Sequence, residues 1–259
     1  MDRLAITACQ PDIAQHIALA REHCLGIEIQ IYGYDPNLLD GDWRALVAKH
    51  KTLLRQLEGE IALHGAFYDM SSASSDAQIV TVTRERYHTN LQIAAELRAC
   101  HVVFHANYFP VIRHPDYLPD WTERQVVFWS ALAEEARRLG LTIALENMWE
   151  PEPGIIATVL EQVNSPHLAA CLDVGHVYLY SDSLPFSTWL ERLQGRLVHC
   201  HINNHHGHHD EHLPLDVEGG VIDYQAILPL LRALPRPPLI CLEMDDLDYL
   251  RRSLRYLGR

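Results

Sequence analysis

The chain has 259 residues, 48% of them hydrophobic and 21% charged, which permits a sizeable buried core in one large domain or two small ones. A formal charge of −13 argues against a protein that grips phosphate backbones through its general surface field. No uncharged run reaches the roughly 18 residues of a membrane helix, there is no signal-peptide pattern, and six cysteines without a CxxC pair read as free thiols of a reducing compartment, so a cytoplasmic protein is expected.

Strand and helix signals alternate along the chain. Leu4–Thr7 reads as a first strand and residues 11–23 as a helix. Gly26–Ile31 is a second strand, followed by a helix over 42–58 that opens on an aspartate cap. The third strand, Ile61–Ala66, leads through a serine-rich loop to a helix over 83–99, and the fourth, Val102–Ala106, precedes a helix over 122–139 stopped by Gly140. Strand five is Leu141–Asn147 with a helix over 153–163; strand six is Leu168–Val174 with a helix over 185–194. Strand seven, Leu197–Asn203, opens the longest and most polar loop, running to about Val221, before a helix over 223–234. Leu239–Met244 and a helix over 246–256 close the pattern. Eight strands alternating with eight helices predict a single (β/α)8 TIM barrel of the α/β class over residues 1–259. The missing Gly-rich loop after the first strand argues against an open doubly wound sheet.

Six of these strands end in a possible metal ligand: His64, His105, Glu146, Asp173, His201 and Glu243. In a parallel barrel those ends form the rim on which active sites are built. Glu146, Asp173, His201 and Glu243 combine hard oxygen donors with one imidazole, a set that suits Mn²⁺, Mg²⁺, Co²⁺ or Zn²⁺. Carboxylates buried side by side need a cation to coexist. His199 falls one layer deeper by the period-two rule, and Glu28 on strand two reads equally as a polar rim residue or a core ion pair. In the long loop Asp210 and His212 form an Asp-x-His pair, whereas His205, His206, His208 and His209 read as solvated. Tyr68, Tyr108, Trp149 and Tyr178 near the rim read first as packing and second as flat platforms for a ligand ring, and Phe128 and Trp129 belong to the helix-to-barrel core.

The segments LHGAFYDMSS, VVFHANY, IALENM, CLDVGHVYL, HCHINN…DEHLPL and LICLEM, from Gly26 to Met244 overall, resemble the successive strand-end motifs of the xylose isomerase-like TIM-barrel superfamily. That grouping holds sugar isomerases and epimerases together with endonuclease-IV-type apurinic-site nucleases. In the sugar branch the resemblance implies one divalent ion on Glu146, Asp173, His201 and Glu243. The two glutamates would then exchange protons with a ketose carbon as the catalytic pair, and His176 would contact substrate oxygens. In the nuclease branch it implies three zinc ions: His64, His105 and Glu146 for one; Asp173, His201 and Glu243, sharing Glu146, for a second; His176, Asp210 and His212 for a third. Glu211 stands where the nuclease pattern carries an arginine, and Val217-Glu218-Gly219-Gly220 replaces the usual Gly-x-Gly.

The expectation is a divalent-metal-dependent isomerase or epimerase of a small sugar or sugar phosphate. His64, His105, His176, Tyr68 and Trp149 are its candidate substrate contacts. The alternative is a multinuclear zinc phosphodiesterase with two or three ions. A small carbohydrate partner is expected without nucleic acid or membrane, with a homodimer as a further possibility.

Overall fold

The apolar runs that announce strands in the sequence are the staves of the barrel. The computed structural model describes residues 3–181 and 183–259, with strands β1 (Leu4–Ala8), β2 (Gly26–Ile29), β3 (Ile61–His64), β4 (His101–His105), β5 (Thr142–Glu146), β6 (Leu168–Asp173), β7 (Leu197–Ile202) and β8 (Leu239–Leu242). All pairings are parallel and follow chain order, and β8 returns to β1 to close the ring. Closure leaves no open edge among them.

Around the ring run α1 (Ala14–Glu22), α2 (Ile31–Tyr34), α3 (Pro36–Asp40), α4 (Trp43–Leu54), α5 (Ala77–Leu97), α6 (Tyr117–Leu139), α7 (Gly154–Val163), α8 (Val174–Tyr180), α9 (Phe186–Leu193), α10 (Tyr224–Arg232) and α11 (Leu247–Tyr256). The short α2, α3 and α8 were not expected; they sit in the βα connections at the barrel mouth. Two long helices begin earlier than the sequence suggested. Asp76 caps α5 by accepting from the Gln78 amide at 2.8 Å. Pro119 lies in the first turn of α6, where its missing N–H has no intrahelical partner to lose. Gly140 ends α6 as expected, in the left-handed region at φ 70°. None of the described helices is long and apolar enough to cross a membrane, and all six cysteines are free.

Strand alternation sorts the core into two parts. Outward residues such as Ile6, Ile27, Leu63, Phe104 and Leu172 pack against the helices in one large cluster. There Tyr87 stacks on Phe104 with centroids 4.1 Å apart and on Trp129 at 5.7 Å, and Phe128 and Trp129 are buried as expected. Each such aromatic is worth roughly 1.5–3 kcal/mol in burial. Inward residues form two small clusters, Ala5–Ala62–Leu239–Cys241 and Val103–Ala144–Cys171. These small side chains fill the barrel beneath its polar mouth. A register shift between Ala170 and Cys171 against β7 pairs Leu197 with Ala170 and His199 with Cys171. That irregularity lets Leu197 join the outer core while His199 and His201 both turn inward.

Candidate metal centre

The barrel rim gathers the expected residues because each lies at, or one residue from, the end of its strand. Register places His105 beside Glu146 and Asp173 beside His201. Glu146, Asp173, His201 and Glu243 are buried, and one donor atom from each lies within 4.8 Å of the others. His201 Nδ1 is 3.0 Å from Glu146 Oε1, 3.3 Å from Glu243 Oε2 and 3.9 Å from Asp173 Oδ2. The second oxygen of Glu146 faces away from this group, 3.3 Å from His64 Nε2 and 3.4 Å from His105 Nε2. One carboxylate thus borders two donor sets.

A third grouping stands beside them. Asp210 Oδ2 is 3.1 Å from His176 Nε2, and Asp210 Oδ1 is 3.2 Å from His212 Nε2. The long loop reaches the mouth because Asn204 and Leu213 exchange backbone hydrogen bonds at 2.9 and 2.8 Å, folding residues 204–213 back on themselves. His212 holds its place with φ 49°, an uncommon conformation for a side-chain-bearing residue.

The electrostatics ask for positive charge. Burial alone would lift the Glu146 carboxyl, but His201 and His105 outweigh it and hold it well below the usual range. Burial would lower His201, yet neighbouring Cys171 and the carboxylates of Glu243, Glu28 and Glu146 raise it well above the ordinary imidazole value. His212, opposed by burial and favoured by Glu243 and Asp210, is pushed up to about 9. Asp173 is pushed up to about 7, chiefly by burial, with Glu243 and Glu146 adding repulsion. Glu243 Oε2 is buried without a hydrogen-bond partner. An orphaned carboxylate oxygen among oxygen donors and an imidazole fits a divalent cation, and the two flanking sets offer room for more than one.

Backbone and neighbours hold the donors rigidly. Asp173 Oδ1 caps α8 by accepting from the His176 amide at 2.5 Å, which leaves Oδ2 toward the donor group. Asn147 extends the β5–β6 ladder with its side chain, accepting from the Asp173 amide at 2.8 Å and donating to the Asp173 carbonyl at 3.0 Å. Gly65 follows His64 where a Cβ would meet the Phe104 ring at 1.9 Å, so no larger residue fits the present packing.

Residues 17–259 match a family described as the xylose isomerase-like TIM barrel. The chain belongs to this family. An uncharacterized protein of Methanocaldococcus jannaschii is 26% identical over 196 residues, covering 73% of this chain and 66% of its own, so the chain spans just under two thirds of that relative's length. A Thermus thermophilus protein, its structure from a soak with zinc chloride, is 26% identical with a TM-score of 0.82, covering 99% of this chain and 96% of its own. A D-tagatose 3-epimerase-like protein shares the fold at 22% identity and a TM-score of 0.83, again covering 99% and 96%.

Within this xylose isomerase-like barrel the rim encloses a cavity of about 520 Å³. His64, His105, Glu146, His176, His212 and Glu243 face it, while Asp173 and His201 lie fully buried beneath. Tyr68 and Trp149 line it as expected. Tyr108 and Tyr178 do not: Tyr108 packs on Tyr117 and Trp121, and Tyr178 is 40% exposed outside the cavity. Glu28 is no rim residue; it is fully buried inside the barrel, with Oε2 2.9 Å from His199 Nε2 and 3.1 Å from His201 Nε2. His205 is buried rather than solvated, donating from Nε2 to the Gly175 carbonyl at 3.1 Å, whereas His206, His208 and His209 are exposed.

Three contributors escaped the sequence reading. Gln30 lies two residues after Glu28, and that spacing, which puts both on one strand face, could have revealed it. Glu150 accepts from the amides of Tyr108 and Met148 at 3.1 and 2.6 Å, pinning two rim loops; burial raises its carboxyl to about 7. Phe67, between His64 and Tyr34, extends the aromatic wall begun by Tyr68.

Proposed function

We propose that the protein is a divalent-metal-dependent isomerase or epimerase acting on a small sugar that carries no phosphate. The observation that carries this reading is the four-donor group of Glu146, Asp173, His201 and Glu243 at the floor of the cavity, with Glu243 Oε2 buried without a hydrogen bond. A divalent ion held there would supply the charge that polarises a substrate carbonyl and acidifies the neighbouring C–H.

The chain's own groups account for the remaining work. Glu146 and Glu243 both reach the cavity and are the proton acceptor and donor at the substrate carbon. His212, whose pKa is raised by the surrounding carboxylates, donates a hydrogen bond to a substrate oxygen, while His176, bound to the Asn147 carbonyl through Nδ1 and to Asp210 through Nε2, fixes the cavity wall beside it. Phe67, Tyr68 and Trp149 present apolar faces to the C–H side of a sugar. Among the described residues lining the cavity there is no Lys or Arg, while Asp69, Glu211 and Asp245 add carboxylates at its mouth. A phosphate dianion would meet repulsion there, which favours an uncharged polyol.

The test is incubation of Mn²⁺- or Co²⁺-loaded protein with free ketohexoses in D₂O, following deuterium entry at the carbon beside the carbonyl. Exchange that disappears in Glu146→Gln and Glu243→Gln supports the reading. Equal exchange in both variants sinks it.

A multinuclear zinc phosphodiesterase is the second reading, favoured by Glu146 bordering two donor sets and by Asp210 holding His176 and His212. Metal analysis of untagged protein separates the two. One ion per chain supports the isomerase, and two or three with nicking of abasic-site DNA supports hydrolysis.

A further inference from the structure

Beneath the donor group lies a buried polar layer that the proposed chemistry does not use. Gln30 Nε2 donates to Glu28 Oε1 at 3.0 Å and to Glu243 Oε1 at 2.8 Å. Both partners are carboxylate oxygens that only accept, so the orientation of the Gln30 amide is determined. Its Oε1 then faces the Cys9 thiol, with Sγ at 3.0 Å. The other oxygen of Glu28 is 3.1 Å from His201 Nε2. His199 Nε2 approaches the same oxygen at 2.9 Å but lacks the alignment of a hydrogen bond. His201 is therefore the ring that donates to Glu28.

We infer that Glu28 and Gln30 are positioning residues that assign the working atoms of His201 and Glu243. Glu28 takes the Nε2–H of His201, which puts the ring lone pair on Nδ1, the nitrogen 3.0–3.9 Å from Glu146, Glu243 and Asp173. Gln30 occupies Glu243 Oε1 and leaves Oε2, buried without a hydrogen bond, directed to the donor group. A metal-ligating histidine commonly needs such an acceptor behind it to hold its tautomer and raise its basicity. Glu28 acts apart from the rim, because it is fully buried and does not line the cavity, whereas Gln30 is buried but borders the cavity wall. It rests on the metal reading of the site but not on which reaction follows.

Two measurements test it. Proteins labelled with ¹⁵N-histidine, loaded with Zn²⁺, are expected to show His201 as the Nε2–H tautomer; an Nδ1–H ring overturns the assignment and needs no variant. Zn²⁺ affinity by chelator competition is expected to fall about 10- to 100-fold in Glu28→Gln, because a glutamine amide can donate to Nε2 and move the ring proton to Nδ1. Gln30→Met, which keeps a side chain of similar length, is expected to weaken Zn²⁺ binding while leaving the His201 tautomer intact. It serves as the second variant where Glu28→Gln does not fold. Affinities within twofold of the parent in the folded variants overturn the inference. Absence of Zn²⁺ binding by the parent protein instead removes the metal reading itself.

Discussion

Glu146 Oε1 lies 3.0 Å from His201 Nδ1, while its other oxygen looks toward His64 and His105. The residue therefore belongs to two donor sets at once, and replacing it tests both. Glu146→Gln keeps the shape but turns an acceptor into an amide donor aimed at an imidazole. Turnover is expected to fall by about 10²- to 10⁴-fold, the usual worth of a lost general acid or base. Bound metal measured by mass spectrometry is expected to fall with it, because the carboxylate is also a donor.

Charge at the mouth should control which sugars enter. Glu211 is held as an anion by the His206 backbone and side chain, with the amide at 2.8 Å, and Asp245 faces the Cys9 thiol at 2.9 Å. Paired assays on a ketose and its terminal phosphate ester are expected to favour the free sugar. Asp245→Lys should narrow that preference by about tenfold, through roughly 1.4 kcal/mol of changed electrostatics. A parent protein that prefers the phosphate ester would retain the isomerase reading and remove the claim of an uncharged substrate.

His101 makes stability depend on acid. It is buried near the N-terminal end of the barrel beside His199, and burial, reinforced by His199, lowers its pKa from 6.5 to about 3. The folded state therefore keeps this ring neutral where the unfolded chain takes up a proton. The contribution to stability is present above pH 6.5 and is lost as pH falls from there toward 3. Between pH 6.5 and about 5 the loss from this one ring is about 2 kcal/mol. Urea unfolding of His101→Leu across this interval should show a smaller drop than the parent.

Packing beneath His64 should be intolerant of added volume. A Cβ at Gly65 would overlap the Phe104 ring, which is itself stacked on Tyr87 and so is not free to retreat. Gly65→Ala is expected to cost about 1–3 kcal/mol and to shift His64, whose Nδ1 lies 2.9 Å from the Gly65 carbonyl. Thermal unfolding measures the first effect, and the histidine ring resonances the second.

Much of this was legible along the chain because barrel strands announce themselves. Val102–Phe104 and Ile143–Leu145 are buried on both faces and read as unbroken apolar runs, so the residue ending each run lands on the rim. His64, His105, Glu146, His201 and Glu243 were visible for that reason. His205 was misplaced, and Glu28 stayed open between rim and core ion pair until the structure showed the ion pair, because polar residues gain a buried position only from partners distant in sequence: the Gly175 carbonyl for the first, His199 and His201 for the second. The α2, α3 and α8 helices were missed because they are short pieces of connection without a full apolar stripe.

The sequence by itself determined an eight-stranded barrel and the identities of the rim residues, since alternation and apolar runs are local properties of the chain. Only the tertiary structure decided which atoms meet. Hydrogen-bond direction and charge sharing depend on side chains converging from strands far apart in sequence. The two faces of Glu146 and the contacts of Gln30 with Glu243 and of Glu28 with His201 therefore come into being only when the ring closes.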